Sequence, residues 1–189
     1  DETIKNLVAG EGGEVMEAKE AERRRVWEEG EGMASGEGKK RVFVQVDGAG
    51  INDRATRGWF EAKVGVIFSE AKEVSKDRVE ILDKRTYATL EDIGSFGEHF
   101  VIEAYKYGVY HSGEVIFVSD GASWCRQLRE DHFPGSTYVL DFWHLARNIR
   151  LSLGAERRGE AEVLLSLAAG GETEGILGRL GRLRAGSRD

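Results

Sequence analysis

Glu114-Val-Ile-Phe-Val-Ser-Asp120, with Gly121 behind it, is the segment around which the rest of the chain arranges itself. A short, almost uncharged run of β-branched and aromatic residues suits a strand covered on both faces, and strands of that kind belong to parallel sheets. The run ends on a carboxylate, and a helical stretch follows to about Asp131. Upstream, Ile93, Phe96, Phe100, Ala104 and Tyr107 recur at helical spacing between Thr89 and Gly108, and Gly108 suits a C-terminal cap. Downstream, Ser136-Thr-Tyr-Val-Leu-Asp141 reads as another strand that ends on an acid, followed by a helix to about Leu153.

Before this alternation come three strand-like runs with no helical pattern between them: Arg41 to Asp47, Phe60 to Ser69 and Arg78 to Tyr87. Consecutive strands without crossovers imply an antiparallel meander. The predicted order is βββαβαβα, an α/β fold of the RNase H-like kind: a five-stranded mixed sheet flanked by helices, with helical extensions at both ends. Gly48-Ala-Gly-Ile-Asn-Asp-Arg-Ala-Thr-Arg57 lacks a following Gly-Lys-Ser/Thr, so it is a poor nucleotide motif and reads as the turn into the second strand.

Three regions follow. Residues 1–40 read as the helical tail of an upstream region plus a linker: 14–29 are rich in helix formers, and 30–40 carry the glycines of a flexible connection, so the segment is expected to be tethered rather than packed. Residues 41–154 form the core. Residues 155–189 look like the opening of an all-helical insertion, with helices at about 156–169 and 173–184 broken by Gly170-Gly171. The first residue is Asp1 rather than Met, which suggests a segment of something longer.

Composition narrows the function. With 27 Lys+Arg against 34 Asp+Glu, the net charge of -7 argues against a strongly basic nucleic-acid binder, because phosphate neutralisation supplies most non-specific affinity. Much of that acid lies in the first 38 residues, however, and basic side chains group at Arg147, Arg150, Arg157 and Arg158. The single cysteine, Cys125, excludes an internal disulfide and a cysteine-rich zinc site and reads as an inert helix residue. No apolar run approaches the roughly 20 residues of a membrane span, so a cytoplasmic, nucleoid-associated location in a prokaryote is expected.

The chemistry rests on acids at strand ends. Ligands sit at the carboxyl ends of parallel strands, and in this order the first and fourth strands are neighbours, so Asp47 and Asp120 should converge. Two adjacent carboxylates repel unless a hard cation lies between them, which makes Mg²⁺ or Mn²⁺ the expected cofactor. Any single Asp after a strand also serves as the first residue of a turn or as a helix cap; the matched placement of these two favours the metal reading.

Val-Gln-Val-Asp47-Gly, Val-Ser-Asp120-Gly-Ala-Ser-Trp and Leu-Asp141-Phe-Trp-His144-Leu-Ala-Arg-Asn148 resemble the catalytic blocks of Mutator-like bacterial insertion-sequence transposases, most closely the ISLre-type family. The resemblance covers roughly residues 41–154. It implies that Asp47 and Asp120 are the first two acids of a DDE triad holding two metal ions in the complete enzyme, and that Asp141 and His144 form the Asp-x-x-His element. It implies DNA as partner, both transposon ends and target, with a homo-oligomer on DNA and no membrane. The activity implied is metal-dependent phosphodiester hydrolysis and strand transfer.

The third acid, a Glu behind a helical insertion, is expected beyond residue 189, since Glu156, Glu160, Glu162, Glu172 and Glu174 follow the fifth strand too soon. Arg147 and Asn148 are candidates for phosphate contacts, and Trp124 and Trp143 for base stacking, with an exposed helix face and core packing as the competing readings. Two other functions remain open: a transposase-derived or truncated domain that binds DNA or protein without catalysis, and an RNase H-like nuclease unconnected with transposition.

Overall fold

Alternating burial defines the central strand. In the computed structural model, which describes residues 2–53, 58–76 and 78–185, β1 (Val42–Asp53) buries Val42, Val44 and Val46. Phe43, Gln45 and Asp47 take the opposite face, as the two-residue period of a strand requires. β1 pairs antiparallel with β2 (Gly58–Ser75), and β2 pairs antiparallel with β3 (Arg78–Thr89). On its other side β1 pairs parallel with β4 (Val115–Ser119); β5 (Thr137–Leu140) completes the order β3-β2-β1-β4-β5. The meander is present, and the fourth strand lies beside the first.

Helix α2 (Ile93–Tyr107) carries the chain from β3 to β4, and α3 (Ser123–His132) carries it from β4 to β5. Asp92 caps α2 by accepting from the Ser95 N–H at 3.1 Å, and Gly108, at φ +89°, ends it. Between the caps, Phe96, Phe100 and Ala104 form one fully buried stripe at four-residue spacing. Phe96 and Phe100 stack at 5.3 Å, and Phe100 and Phe117 meet Phe133 at 6.1 and 5.7 Å. Gly65 of β2 makes room for this layer, because a Cβ there would lie 2.3 Å from the Phe100 ring.

The first forty residues depart from expectation. α1 (Glu2–Trp27) is not merely tethered: Lys19 reaches Glu103 at 2.8 Å, Arg23 reaches Glu98 at 2.7 Å, and Lys106 reaches Glu22 at 2.6 Å. The Trp27 indole N–H adds a bond to the Glu98 carbonyl at 3.2 Å. The glycine-rich stretch behind α1 is packed as well. The Gly36 N–H donates to the Tyr105 carbonyl at 2.8 Å, and a Cβ on Gly36 would fall 2.2 Å from the Lys106 carbonyl oxygen. A missing side chain permits either freedom or close approach, and here the end of α2 uses it for close approach.

β1 also runs further than predicted. Gly48-Ala-Gly reads as a loop, yet the ladder with β2 continues to Asp53↔Gly58, cross-strand pairing having overridden weak local propensity.

By its contacts the chain divides into two compact units, residues 1–139 and 140–189. The second contains α4 (Phe142–Leu153), α5 (Arg158–Ala169) and α6 (Thr173–Ala185), with α5 packed on both neighbours. The helices expected at 156–169 and 173–184 are thus present. No helix among the described residues is long and apolar enough to cross a membrane.

Two outcomes test this account. Gly65→Ala should destabilise the fold by about 1–3 kcal/mol through overpacking against Phe100, read from urea unfolding midpoints. Glu103 concerns pH. Burial pushes its carboxyl up, but hydrogen bonds from Lys19 and Arg85 outweigh this and hold it below its ordinary value. A depressed folded pKa stabilises above the unfolded value of about 4.3 and stops stabilising as pH falls through the folded value. Glu103→Gln should therefore cost about 1–2 kcal/mol near neutrality, a difference that shrinks in unfolding curves taken below the unfolded value.

Candidate active site at two strand ends

β1 and β4 pair from Val42↔Val115 to Gln45↔Val118, and the same register carried two residues past the last pair would bring Asp47 level with Asp120, which follows the end of β4. Neighbouring strands are about 4.8 Å apart, and level residues in a parallel pair share a face. Asp47 takes the face of β1 opposite Val42, Val44 and Val46, and both acids are half-buried.

Each carboxylate is oriented by local backbone. Asp47 Oδ1 accepts from the Gly48 N–H at 2.8 Å, and Asp120 Oδ1 accepts from the Ala122 N–H at 2.9 Å across the turn that Gly121 makes at φ +90°. Among the described residues none donates to Asp120 Oδ2. The bland role of a turn-forming Asp is therefore real for Asp120 and occupies one of its two oxygens.

Cys125, expected to be inert, belongs to this neighbourhood. Its fully buried thiol points at Asp120 Oδ1, with Sγ 3.8 Å away. Burial first, and then the negative charges of Asp120 and Asp47, push the thiol up to about 12. It is a protonated donor at neutral pH, neither a nucleophile nor a thiolate ligand. Its place five residues after Asp120 was visible in the sequence, but nothing there showed which way the sulfur points. Beside Asp47 the sheet carries a shallow groove lined by Gln45, Ala49, Val64, Val66 and Ile81.

Carboxylate oxygens are the donors that a hard divalent cation takes, with water or substrate completing its shell. Asp47 and Asp120 fit such an ion as a two-carboxylate site. No group of three or more His, Cys, Asp or Glu side chains stands together as a metal cage among the described residues.

The other predicted residues have surroundings of their own. Trp124 is half-buried against the core, edge-on to Phe96 at 5.9 Å. In the second unit, Asp141 caps α4 by accepting from the N–H groups of Trp143 and His144 at 2.8 and 3.3 Å. His144 Nδ1 lies 3.5 Å from Asp141 Oδ2, so the Asp-x-x-His pair does form. Arg147 and Asn148 are exposed on α4, as is Trp143. Arg150 instead pairs with Glu162 at 3.3 Å, and Arg179 with Glu160 at 2.6 Å.

The state of Cys125 can be measured directly. In the native protein at pH 8, alkylation by iodoacetamide should be slower than in urea by about a hundredfold or more, because the thiol is both buried and protonated; equal rates would remove it from this site.

No curated protein matches the chain. The profile of one family matches residues 1–189, the full length described above, strand ends and flanking helices included; the chain belongs to the uncharacterised protein family UPF0236.

Proposed function

We propose that this chain is the catalytic core of a DDE-type DNA transposase with an RNase H-like fold, in which Asp47 and Asp120 hold Mg²⁺ or Mn²⁺. The observation that carries the reading is the parallel β1–β4 pairing, whose register carried past its last pair puts Asp47 beside Asp120 where β4 ends. The strand order, with the first strand antiparallel to the second and parallel to the fourth, supports the RNase H-like assignment. The paired Asp141 and His144 support the transposase over a nuclease unconnected with transposition.

The reaction proposed is attack of water on a phosphodiester at a transposon end, whose 3′-oxygen leaves as a 3′-hydroxyl, followed by in-line attack of that hydroxyl on a phosphorus of target DNA, whose own 3′-oxygen leaves. Metal bound at the two acids would supply Lewis acidity at the phosphodiester oxygens. The chain contributes position. The β1–β4 ladder sets the separation of the acids, and the N–H groups of Gly48 and Ala122 fix one oxygen of each. Cys125 donates to Asp120 without competing for the ion. Exposed Arg147 and Asn148 suit backbone phosphates.

A second reading is a transposase-derived domain that binds DNA or protein without catalysis; it is favoured by the lack, among the described residues, of a third His, Cys, Asp or Glu side chain grouped with the two acids.

Calorimetry with Mn²⁺ separates the readings. Binding that Asp47→Ala and Asp120→Ala each abolish is the expected result. Binding indifferent to both substitutions, or no binding at all, would remove the metal chemistry and leave the DNA-binding reading.

A further inference from the structure

The ladder between β1 and β2 continues past the point where either strand has another neighbour. β4 pairs with β1 only as far as Gln45, and β3 joins β2 only from Lys63, yet β1 and β2 stay paired out to Asp53 and Gly58. Residues 48–53 and 58–62 thus form a two-stranded ribbon that leaves the sheet at the end where Asp47 and Asp120 stand. Ile51, Trp59 and Phe60 on this ribbon are 45, 71 and 44% exposed. Ile51 and Phe60 are direct cross-strand partners on the Asp47 face. Trp59 lies on the other face, close enough to Gly50 that a Cβ there would come within 3.5 Å of its ring.

Rings so exposed on a two-stranded ribbon add little beyond their cross-strand contacts and leave apolar surface in water. What would cover them is narrowed by charge and position. In sequence, residues 48–62 carry Asp53 and Glu61 against Arg54 and Arg57, a sum of zero on a chain of net charge -7. As a stretch of sequence it adds no net charge against phosphate. It offers no strong attraction either, so contact must rest on the rings.

The other free ribbon, β2 with β3 beyond Glu70, lies at the opposite end of the sheet. Its exposed apolar residues, Val74 and Val79, include no ring. Aromatic rings are thus confined to the ribbon beside the acids.

We infer that the β1–β2 ribbon is a nucleic-acid contact, with Trp59 and Phe60 stacking on unpaired bases of the strand presented to Asp47 and Asp120. The inference rests on the polynucleotidyl-transferase reading and adds to it where unpaired DNA is held. Every base has a π-face, so such stacking is tolerant of sequence. Because it does not depend on phosphate neutralisation, its affinity should fall only shallowly with salt.

The test uses the full chain in metal-free, low-salt buffer with a labelled single-stranded oligonucleotide, read by fluorescence anisotropy. Trp59→Ala and Phe60→Ala should each weaken binding about tenfold. Val79→Ala on the other ribbon should leave binding unchanged, and circular dichroism should show all three variants folded. Tryptophan quenching on binding should be present in the parent and reduced in Trp59→Ala. Unchanged affinity in both ring variants overturns the inference, as does absence of binding by the parent. So does sedimentation showing that the parent self-associates and Phe60→Ala does not, which would make the ribbon an interface between copies. Mn²⁺ calorimetry on the ring variants keeps the two readings apart. Metal binding retained while the rings prove irrelevant sinks the ribbon alone; ring-dependent DNA affinity without metal binding supports the ribbon and removes the chemistry.

Discussion

The parallel pairing of β1 with β4 is the constraint on which the rest depends. Val42, Val44 and Val46 on one strand and Phe117 on the other are fully or almost fully buried, and burial of such side chains is worth roughly 1.5–3 kcal/mol each. A one-residue slip would turn every one of them to the wrong face. The same register, carried two residues past its last pair, leads to Asp47 and Asp120, so the core that makes the sheet also positions the candidate site. A parallel pair needs a crossover, and the stripe of Phe96, Phe100 and Ala104 on α2 supplies one that covers the buried face.

Net charge is a poor guide to what the site can hold. Part of the acid on this chain is spent in pairing α1 with α2, through Glu22, Glu98 and Glu103, and part in joining the helices of the second unit, through Glu160 and Glu162. Each such pair sums to zero, so the value of -7 describes the chain as a whole and not any one surface of it. What matters at the site is two carboxylates, each accepting a backbone N–H, and a neighbouring ribbon with exposed rings.

Membership of UPF0236 places the chain in a family without assigning it chemistry. The physical case for chemistry lies in the company the two acids keep. An Asp after a strand is ordinary, and both Asp120 and Asp141 do the ordinary work of shaping a turn or capping a helix. Asp120 differs from Asp141 in having a buried thiol aimed at it from α3, one that also feels the charge of Asp47.

Element order was determined by sequence alone, because alternation with period two and apolar spacing of three to four are local properties of the chain. The same local signal singled out Asp47 and Asp120, as carboxylates that close β-branched runs, although β1 itself continues to Asp53. The tertiary structure decided what depends on a neighbour. Gly36 and Gly65 are sites of close contact rather than flexibility because the α2 terminus and Phe100 lie against them. α1 is held because its charges meet partners some 75 to 84 residues away. Gly48-Ala-Gly is strand because β2 pairs with it, and Cys125 faces a carboxylate because α3 turns it there. A glycine, a charge or a thiol carries no mark of its partner; only the packed chain supplies one.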